Sequence, residues 1–158
     1  MSNTAEFKKW YADSFKKFEA NLNGESKLPI HQTRKVALEK FLELKFPTLK
    51  DEEWKYTNVT PILAHKFDDI IVNVPSAPKI DLGKYLFNKE NFYTIVFING
   101  VYDAANSDEV DAPGITLCNL KTAIVKYPEE VNNYIGKFAK IENSIFTALS
   151  TAYINDGV

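Results

Sequence analysis

The chain has 158 residues, a formal net charge of −2, 45% hydrophobic residues and 13% aromatic residues. A folded domain of this size buries about 70% of its unfolded surface, and the high aromatic content argues against disorder. The small net charge gives no reason to expect nucleic acid or a membrane surface as a partner, and no apolar run approaches the length of a membrane span.

Cysteine usage and the N-terminus indicate the compartment. Cys118 is the only cysteine, so the chain contains no internal disulfide and no metal or cluster site made only of its own cysteines. The N-terminal sequence MSNTAEFKKW is interspersed with charges and lacks the apolar stretch of a signal peptide. We therefore predict a cytoplasmic protein.

The first two predicted elements are helices that form a hairpin. The first helix has an apolar face with the α-helical period, made by Phe7, Tyr11, Phe15, Phe18 and Leu22. Asn23-Gly24 ends this helix, and Pro29 is well placed to open the second. The second helix has an apolar stripe that would pack on the first, made by Val36, Ala37, Phe41 and Leu44.

The segment 46–58, FPTLKDEEWKYTN, follows the hairpin and is called the elbow below. Pro47 ends the preceding helix because its ring disfavours the α conformation of the residue before it. Thr48 or Asp51 is predicted to cap a short helix with carboxylates in its first turn, where the helix dipole favours them. Trp54 follows one turn into this helix. We therefore predict a rigid elbow that bears large aromatic side chains.

Strand patterns follow a short helix that is predicted to start at Thr60-Pro61. Ile70 to Val74 is β-branched and predicts an edge strand. Tyr93 to Ile98 is the strongest strand pattern, and Asn99-Gly100 after it is typical of a type I′ hairpin turn, since both turn residues need positive φ. Ile115 to Cys118 predicts another short strand, in which the cysteine would be an inert apolar side chain.

Helix signals dominate the end of the chain. Asn119 is predicted to cap a helix that runs to about Tyr127. Pro128 is predicted to restart this helix and Gly136 to end it. Ser144 is predicted to cap the last helix. One face of the last helix is formed by Phe146, Leu149 and Tyr153.

These elements predict an α+β fold, with an N-terminal helical hairpin followed by a small β region with flanking helices. We assign residues 1–58 to the hairpin and elbow, and residues 59–158 to the small α+β region. The sequence shows no internal repeat, so a repeating β core is not expected within it.

No residue set in the sequence is typical of catalysis. The chain lacks a glycine-rich phosphate loop and a serine set between glycines at the spacing of a nucleophile turn. Asp51, Glu52 and Glu53 are acidic, but consecutive helix positions point in different directions and do not converge on one ion. We therefore predict no enzyme, and no catalytic, cofactor-binding or metal residue. A metal-assisted hydrolase using Asp51 and Glu52 with His31 or His65 stays open, as does a free-standing helical adaptor.

Three blocks of sequence occur in order along the chain. The first consists of Arg34, Ala37, Leu38 and Phe41, followed by FPTLKDEEWKYTN and Pro61. The second is IVFINGVY, from Ile95 to Tyr102, and the third is FTALSTAYINDGV, from Phe146 to Val158. Together these blocks resemble the N-terminal region of the SufB/SufD family of iron-sulfur cluster assembly proteins, and SufD most closely.

The resemblance implies a non-catalytic subunit of the SUF assembly machinery. SufB-like and SufC-like subunits are the implied partners. Iron-sulfur clusters and ATP would be handled by other subunits of the complex, with no cofactor in this chain. The matched positions form a family signature with an implied structural or partner-docking role: Arg34, Asp51, Glu52, Glu53, Trp54, Lys55, Tyr56, Thr57 and Asn58.

The third block resembles the segment that leads this family into its β-helix core. That core is not in this sequence, so we expect the chain to be an N-terminal piece of a longer protein. We also expect the last helix to lack part of its cover, which would favour self-association through Phe146 and Tyr153.

Overall fold

The structure is a computed structural model. It describes residues 3–67, 81–85, 92–98, 100–110 and 112–157. The chain forms two compact units, of which the first comprises Met1–Val72 and Asn132–Ile154 and the second comprises Asn73–Val131 and Asn155–Val158. The predicted division between residues 1–58 and 59–158 stays a prediction.

The first unit contains the predicted helical hairpin. Helix α1 spans Asn3–Ala20 and helix α2 spans Pro29–Glu43, with the proline in its first turn. Asn23 and Gly24, with φ of 46° and 98°, take left-handed conformations in the connection, which a glycine adopts without strain. The predicted face of α1 is buried at Phe7, Phe15, Phe18 and Leu22 and half-buried at Tyr11. The hairpin prediction is confirmed.

The buried face of α2 differs from the predicted stripe. Ala37 and Phe41 are fully buried as expected, but Val36 is 42% exposed. Ile30 and Arg34 are buried instead, on the same side of the helix as Ala37 and Phe41. The reason is that α2 packs against the last helix as well as against α1, and this double contact selects the face with Arg34 and Ala37.

The last helix, α6, spans Ile145–Ala152 and packs against α2. The Ser144 side chain accepts a hydrogen bond from the Thr147 backbone N–H at 3.3 Å, which confirms the predicted cap. Ile145, Ala148 and Ala152 form the buried face of α6. Ala152 of α6 and the fully buried Ala37 of α2 belong to one packed cluster, and small side chains allow two helices to approach closely.

The predicted face of α6 is half-buried, because Phe146, Leu149 and Tyr153 are each only partly covered. The Phe146 ring lies 5.8 Å from the ring of Phe46. The Tyr153 ring lies 5.7 Å from Phe15 and 5.4 Å from Phe18, and burial raises the pKa of Tyr153. The hairpin and the elbow thus supply cover that the sequence did not reveal. Self-association through this helix stays a prediction.

The second unit contains the predicted hairpin of strands. Strands β1, Phe97–Ile98, and β2, Val101–Tyr102, are antiparallel, with Phe97 opposite Tyr102 and Ile98 opposite Val101. Gly100 has a φ of 81° in the turn, as the hairpin prediction requires, whereas Asn99 lies outside the described residues. The strands are shorter than predicted. Before Phe97, the backbone N–H groups of Thr94 and Val96 donate to the side chains of Asp108 and Ser107 instead of to the backbone of a partner strand.

Two other strand predictions have different outcomes. Ile115 to Cys118 forms no strand, and the prediction is wrong there. These residues lie between the turn at Gly114, with a φ of 81°, and the cap of the next helix. Cys118 is a free, half-buried thiol in irregular chain. The predicted strand from Ile70 to Val74 falls outside the described residues.

The described residues also include three short α-helices. Helix α3 spans Thr60–Ala64, α4 spans Leu120–Lys126 and α5 spans Pro128–Tyr134. The predicted cap of α4 is confirmed, because the Asn119 side chain accepts from the Thr122 N–H at 3.1 Å. Helix α3 starts at Thr60, as predicted, with Val59 in the cap position, and the Thr60 N–H donates to the Asn58 side chain at 3.0 Å.

The fold class is α+β, as predicted. Across the described ranges the helices dominate, and β1 and β2 are the only strands. Gly136, with a φ of 74°, follows α5 where a helix stop was predicted. None of the described helices combines the length and apolar character that crossing a membrane requires.

Candidate functional site

The elbow is held together by a hydrogen-bonded turn at its start. The Asp51 carboxylate accepts hydrogen bonds from the Thr48 N–H at 2.7 Å and the Thr48 hydroxyl at 2.9 Å, and these bonds lower the pKa of Asp51. Asp51 precedes the 3₁₀ helix Glu52–Trp54, but its side chain does not bond forward to that helix. Asp51 thus holds the predicted cap position, but its carboxylate closes the preceding turn instead of bonding to the helix.

Trp54 anchors the elbow to the core of the first unit. Its ring is half-buried and lies 5.4 Å from the ring of Phe146 on α6. Phe146 also contacts Phe46, whose ring lies 5.5 Å from Phe7 and 6.2 Å from Phe41. This chain of aromatic contacts joins the elbow to α1, α2 and α6, so the elbow has a fixed position on the first unit.

The remaining elbow signature residues face solvent. Tyr56 is 91% exposed, and the Lys55 ammonium lies 5.6 Å from the centre of its ring. The side chains of Glu52, Glu53, Thr57 and Asn58 are also exposed. The elbow thus presents an aromatic ring, a cation and carboxylates on a rigid support, a combination that suits contact with a protein surface.

Arg34, the other signature residue, lies in a different environment. It is fully buried, and its Nε donates a hydrogen bond to the Ile154 carbonyl at 2.8 Å. Its Nη2 lies 3.7 Å from the Glu25 carboxylate, which is an ion pair and too long for a hydrogen bond. The guanidinium also lies 5.5 Å from the centre of the Phe18 ring. Burial lowers the pKa of Arg34, and Glu25 opposes that shift.

These contacts separate the signature into two parts. Arg34 connects the turn between α1 and α2 with the end of α6, whereas Trp54 and its neighbours form the outer surface of the elbow. The structure does not bring Arg34 and the elbow residues into one site. Arg34 therefore has a structural environment, and the exposed elbow is the candidate functional surface.

A second polar group on α2 was not foreseen. His31 is 3% exposed and stacks on Phe15. Its Nε2 lies 2.8 Å from a Glu19 carboxylate oxygen, and the Lys35 ammonium lies 3.0 Å from that same oxygen. The link to Glu19 depends on how α1 and α2 align, and no local sequence signal reports that alignment.

Acid should weaken the Glu19 contacts. Hydrogen bonds from His31, then from Lys35, lower the pKa of Glu19 below its ordinary value of 4.5. The Glu19 carboxylate therefore binds a proton more readily in the unfolded chain than in the folded one. Its contribution to stability is complete above about pH 4.5 and is lost as the pH falls through the lower pKa that Glu19 has in the folded state. Because Glu19 is 36% exposed, we expect a loss of about 1 kcal/mol or less.

The measurement is the free energy of unfolding of the wild type minus that of Glu19→Gln, followed as the pH is lowered through this window. Taking the difference removes the titration of the other carboxylates. We expect the difference to shrink toward zero in acid. A difference that is constant across the window would show that Glu19 contributes no pH-dependent stability.

The residues of the hydrolase alternative do not form a shared site. Within the described ranges, no three His, Cys, Asp or Glu side chains are grouped so that they could hold a metal ion. His31 is hydrogen-bonded to Glu19, and the Asp51 carboxylate accepts hydrogen bonds from Thr48. His65 follows the elbow in the sequence, and the centre of its ring lies 4.6 Å from the centre of the Phe67 ring.

Comparison with known proteins decides the family. The family model described as the SufBD protein N-terminal region matches residues 5–158 of this chain. The chain belongs to the SufBD family. The match includes the hairpin, the elbow, the strand hairpin and α6, and so covers all three blocks on which the resemblance was based. No solved structure gives a significant match.

Several curated SufBD family proteins are similar to the chain. An iron-sulfur cluster assembly SufBD family protein of Synechocystis sp. is 27% identical over 148 residues, covering 89% of this chain and 30% of that protein. A protein of the same description from Arabidopsis thaliana is 26% identical over 118 residues, covering 72% of this chain and 23% of its own length. The chain thus spans less than a third of the length of these SufBD relatives.

Proposed function

We propose that the chain is the N-terminal domain of a SufD-like, non-catalytic subunit of the SUF machinery, and that the elbow is its docking surface for a partner subunit. The family and its role in iron-sulfur cluster assembly support the first part. The partners proposed from the resemblance are SufB-like and SufC-like subunits. Clusters and ATP are proposed to be handled by those subunits, and the compartment is proposed to be the cytoplasm.

The observation that carries the docking role is the contrast within the elbow. Trp54 packs on Phe146 and fixes the backbone, whereas Tyr56, two residues later, is 91% exposed. No packing requirement within the described part of the unit accounts for a large aromatic side chain at that position. An exposed ring on a rigid support loses little conformational entropy on binding, and tyrosine is enriched among the residues that dominate binding energy.

The charges around the ring define the partner surface that would fit. Glu52 and Glu53 are exposed, and neither forms an ion pair within the described residues. Lys55 lies over the Tyr56 ring and would be displaced or would remain stacked when a partner covers it. A partner with an apolar pocket for the ring and basic side chains beside it would match this surface.

The proposal is tested by titrating the chain into purified SufB-like and SufC-like subunits of the same system. We expect binding to at least one of them, and we expect Tyr56→Ser to weaken that binding by about tenfold or more, as for a buried aromatic anchor. Tyr85→Ser is the matched control, because Tyr85 is also exposed, at 72%, and lies in the other unit.

Two results would count against different parts of the proposal. If the chain binds a SUF subunit and both tyrosine variants bind as the wild type does, the elbow is not the contact surface. If the correctly folded chain binds neither subunit, the proposed role of this domain in partner docking is overturned. A normal unfolding transition for each variant establishes that the substitutions act on binding alone.

A further inference from the structure

A groove of about 540 Å³ lies beside α6 in the first unit. One wall is formed by Tyr134, at the end of α5, and by Phe138 in the segment that follows. The other wall is α6, with Phe146 and Thr151, and Ile154 just after the helix also lines the groove. The groove therefore belongs entirely to the C-terminal part of the first unit.

Two aromatic side chains of the first wall are left in solvent. Phe138 is 81% exposed and Tyr134 is 66% exposed. Apolar area in water is unfavourable by about 25 cal/mol per Å². Two exposed rings beside a largely apolar groove are typical of a surface that another segment or protein covers.

The area of this patch indicates what kind of occupant can cover it. The two rings together bury about 300–500 Å² when they are fully covered, whereas each partner in a stable complex of separate proteins contributes about 800 Å². A separate molecule would therefore bind this patch only weakly. A segment of the same chain is held nearby at an effective concentration in the millimolar range, so a small apolar patch suffices to keep it in place.

The chain leaves the first unit close to the groove. Ile154 lines the groove, and Val158 is four residues further on. Four extended residues span at most about 14 Å, so residues that follow Val158 begin within that distance of Ile154. The family model describes an N-terminal region, and the match covers 30% of the Synechocystis protein. Most of such a relative therefore lies outside the matched region and is available as cover.

We propose that residues following Val158 in the full-length protein cover this groove and bury Phe138 and Tyr134. This proposal rests on the proposed function, because it requires the chain to be the N-terminal domain of a longer subunit. The rings of the first wall contact apolar side chains of the covering segment. Thr147 and Ser150 line the second wall, and their hydroxyls can hydrogen-bond to the backbone of that segment. The cover thus fixes α6 on the remainder of the subunit.

Photo-cross-linking in the full-length protein identifies the occupant directly. Phe138 is replaced by photoreactive benzoylphenylalanine, which keeps an aromatic side chain at this position, and the protein is irradiated together with the SufB-like and SufC-like subunits. We expect cross-links within one polypeptide, to peptides beyond residue 158, because the covering segment lies over this ring. The same replacement at Tyr56 is the matched control, since it should give no cross-link to those peptides.

Amide hydrogen exchange of the full-length protein measures how strongly the cover is held. Because the Phe138 side chain is 81% exposed within this chain, Phe138→Ser should leave the fold of the first unit intact. We expect this variant to raise the exchange rates of amides in residues 136–140 by about tenfold or more, as for the loss of an aromatic anchor. Tyr56→Ser removes an exposed ring from the elbow and should leave these rates unchanged.

Three results would overturn the proposed cover. Cross-links from position 138 to a second copy or to another subunit would assign the groove to that molecule, and no cross-link at all would show that the groove is uncovered. Exchange rates in residues 136–140 that Phe138→Ser does not raise would show that the ring is not an anchor. If Tyr56→Ser weakens the binding of a SUF subunit in any of these cases, the docking role of the elbow stands while the cover of the groove is refuted.

Discussion

Replacing Arg34 by alanine should destabilise the first unit by about 3–5 kcal/mol, the usual effect of removing one partner from a buried ion pair. The substitution removes the hydrogen bond to the Ile154 carbonyl and the contact with the Phe18 ring. It also leaves the Glu25 carboxylate, which is 16% exposed, without its counter-charge. The measurement is the free energy of unfolding from chemical denaturation, monitored by far-UV circular dichroism.

Lys35→Ala is the matched control, because it removes a cation from the next position of the same helix. Lys35 is 47% exposed and pairs with Glu19 at the surface, so we expect a loss of less than about 1 kcal/mol. Adding Glu25→Gln to Arg34→Ala should recover part of the loss, since the uncompensated carboxylate is then neutral. An Arg34→Ala effect no larger than that of Lys35→Ala would refute the structural role assigned to the guanidinium.

Phe41→Ala should have a comparably large effect, about 3–5 kcal/mol, because it leaves a cavity at a fully buried position. The Phe41 ring is completely buried and lies 5.6 Å from Tyr11 and 6.2 Å from Phe46. Loss of the ring removes support from Phe46, which connects the core to the elbow through Phe146. The free energy of unfolding measures the effect, and near-UV circular dichroism reports the loosened aromatic packing.

Leu42→Ala is the control for this position, since Leu42 is the next residue of α2 and is 41% exposed. Its truncation should change the stability by less than about 1 kcal/mol. If the two substitutions have equal effects, the side of α2 that carries Phe41 is not the packed side, and the arrangement of α2 against α1 and α6 would be wrong.

Local chemistry made several elements predictable. The caps at Asn119 and Ser144 depend on a side chain bonding to a backbone N–H three residues away, and the strand turn depends on Gly100 taking a positive φ. These interactions lie within one short window of sequence. The prediction that failed at Ile115 to Cys118 was also local, but β-branched residues form a strand only where a partner strand is available.

Side-chain burial was predicted less well, because it depends on more than one neighbour. The apolar period of α1 was sufficient to predict which of its side chains are buried, since that helix presents one face to the core. Helix α2 packs on α1 and α6 together, and this contact buries Arg34 while leaving Val36 exposed. The candidate surface was predicted as a stretch of residues, but which of its aromatic rings faces solvent was not.

The sequence by itself determined the α+β class, most helix starts and stops, and the position of the elbow, because these features depend on residue types at short spacings. The family was indicated by the resemblance of three blocks spread along the chain, and the match over residues 5–158 shows it. Only the tertiary structure decided that Arg34 binds the Ile154 carbonyl, 120 residues away, that Trp54 packs on Phe146, and that Tyr56 is left exposed. Contacts between distant residues depend on how the helices align and pack, and no local pattern of residues reports that alignment.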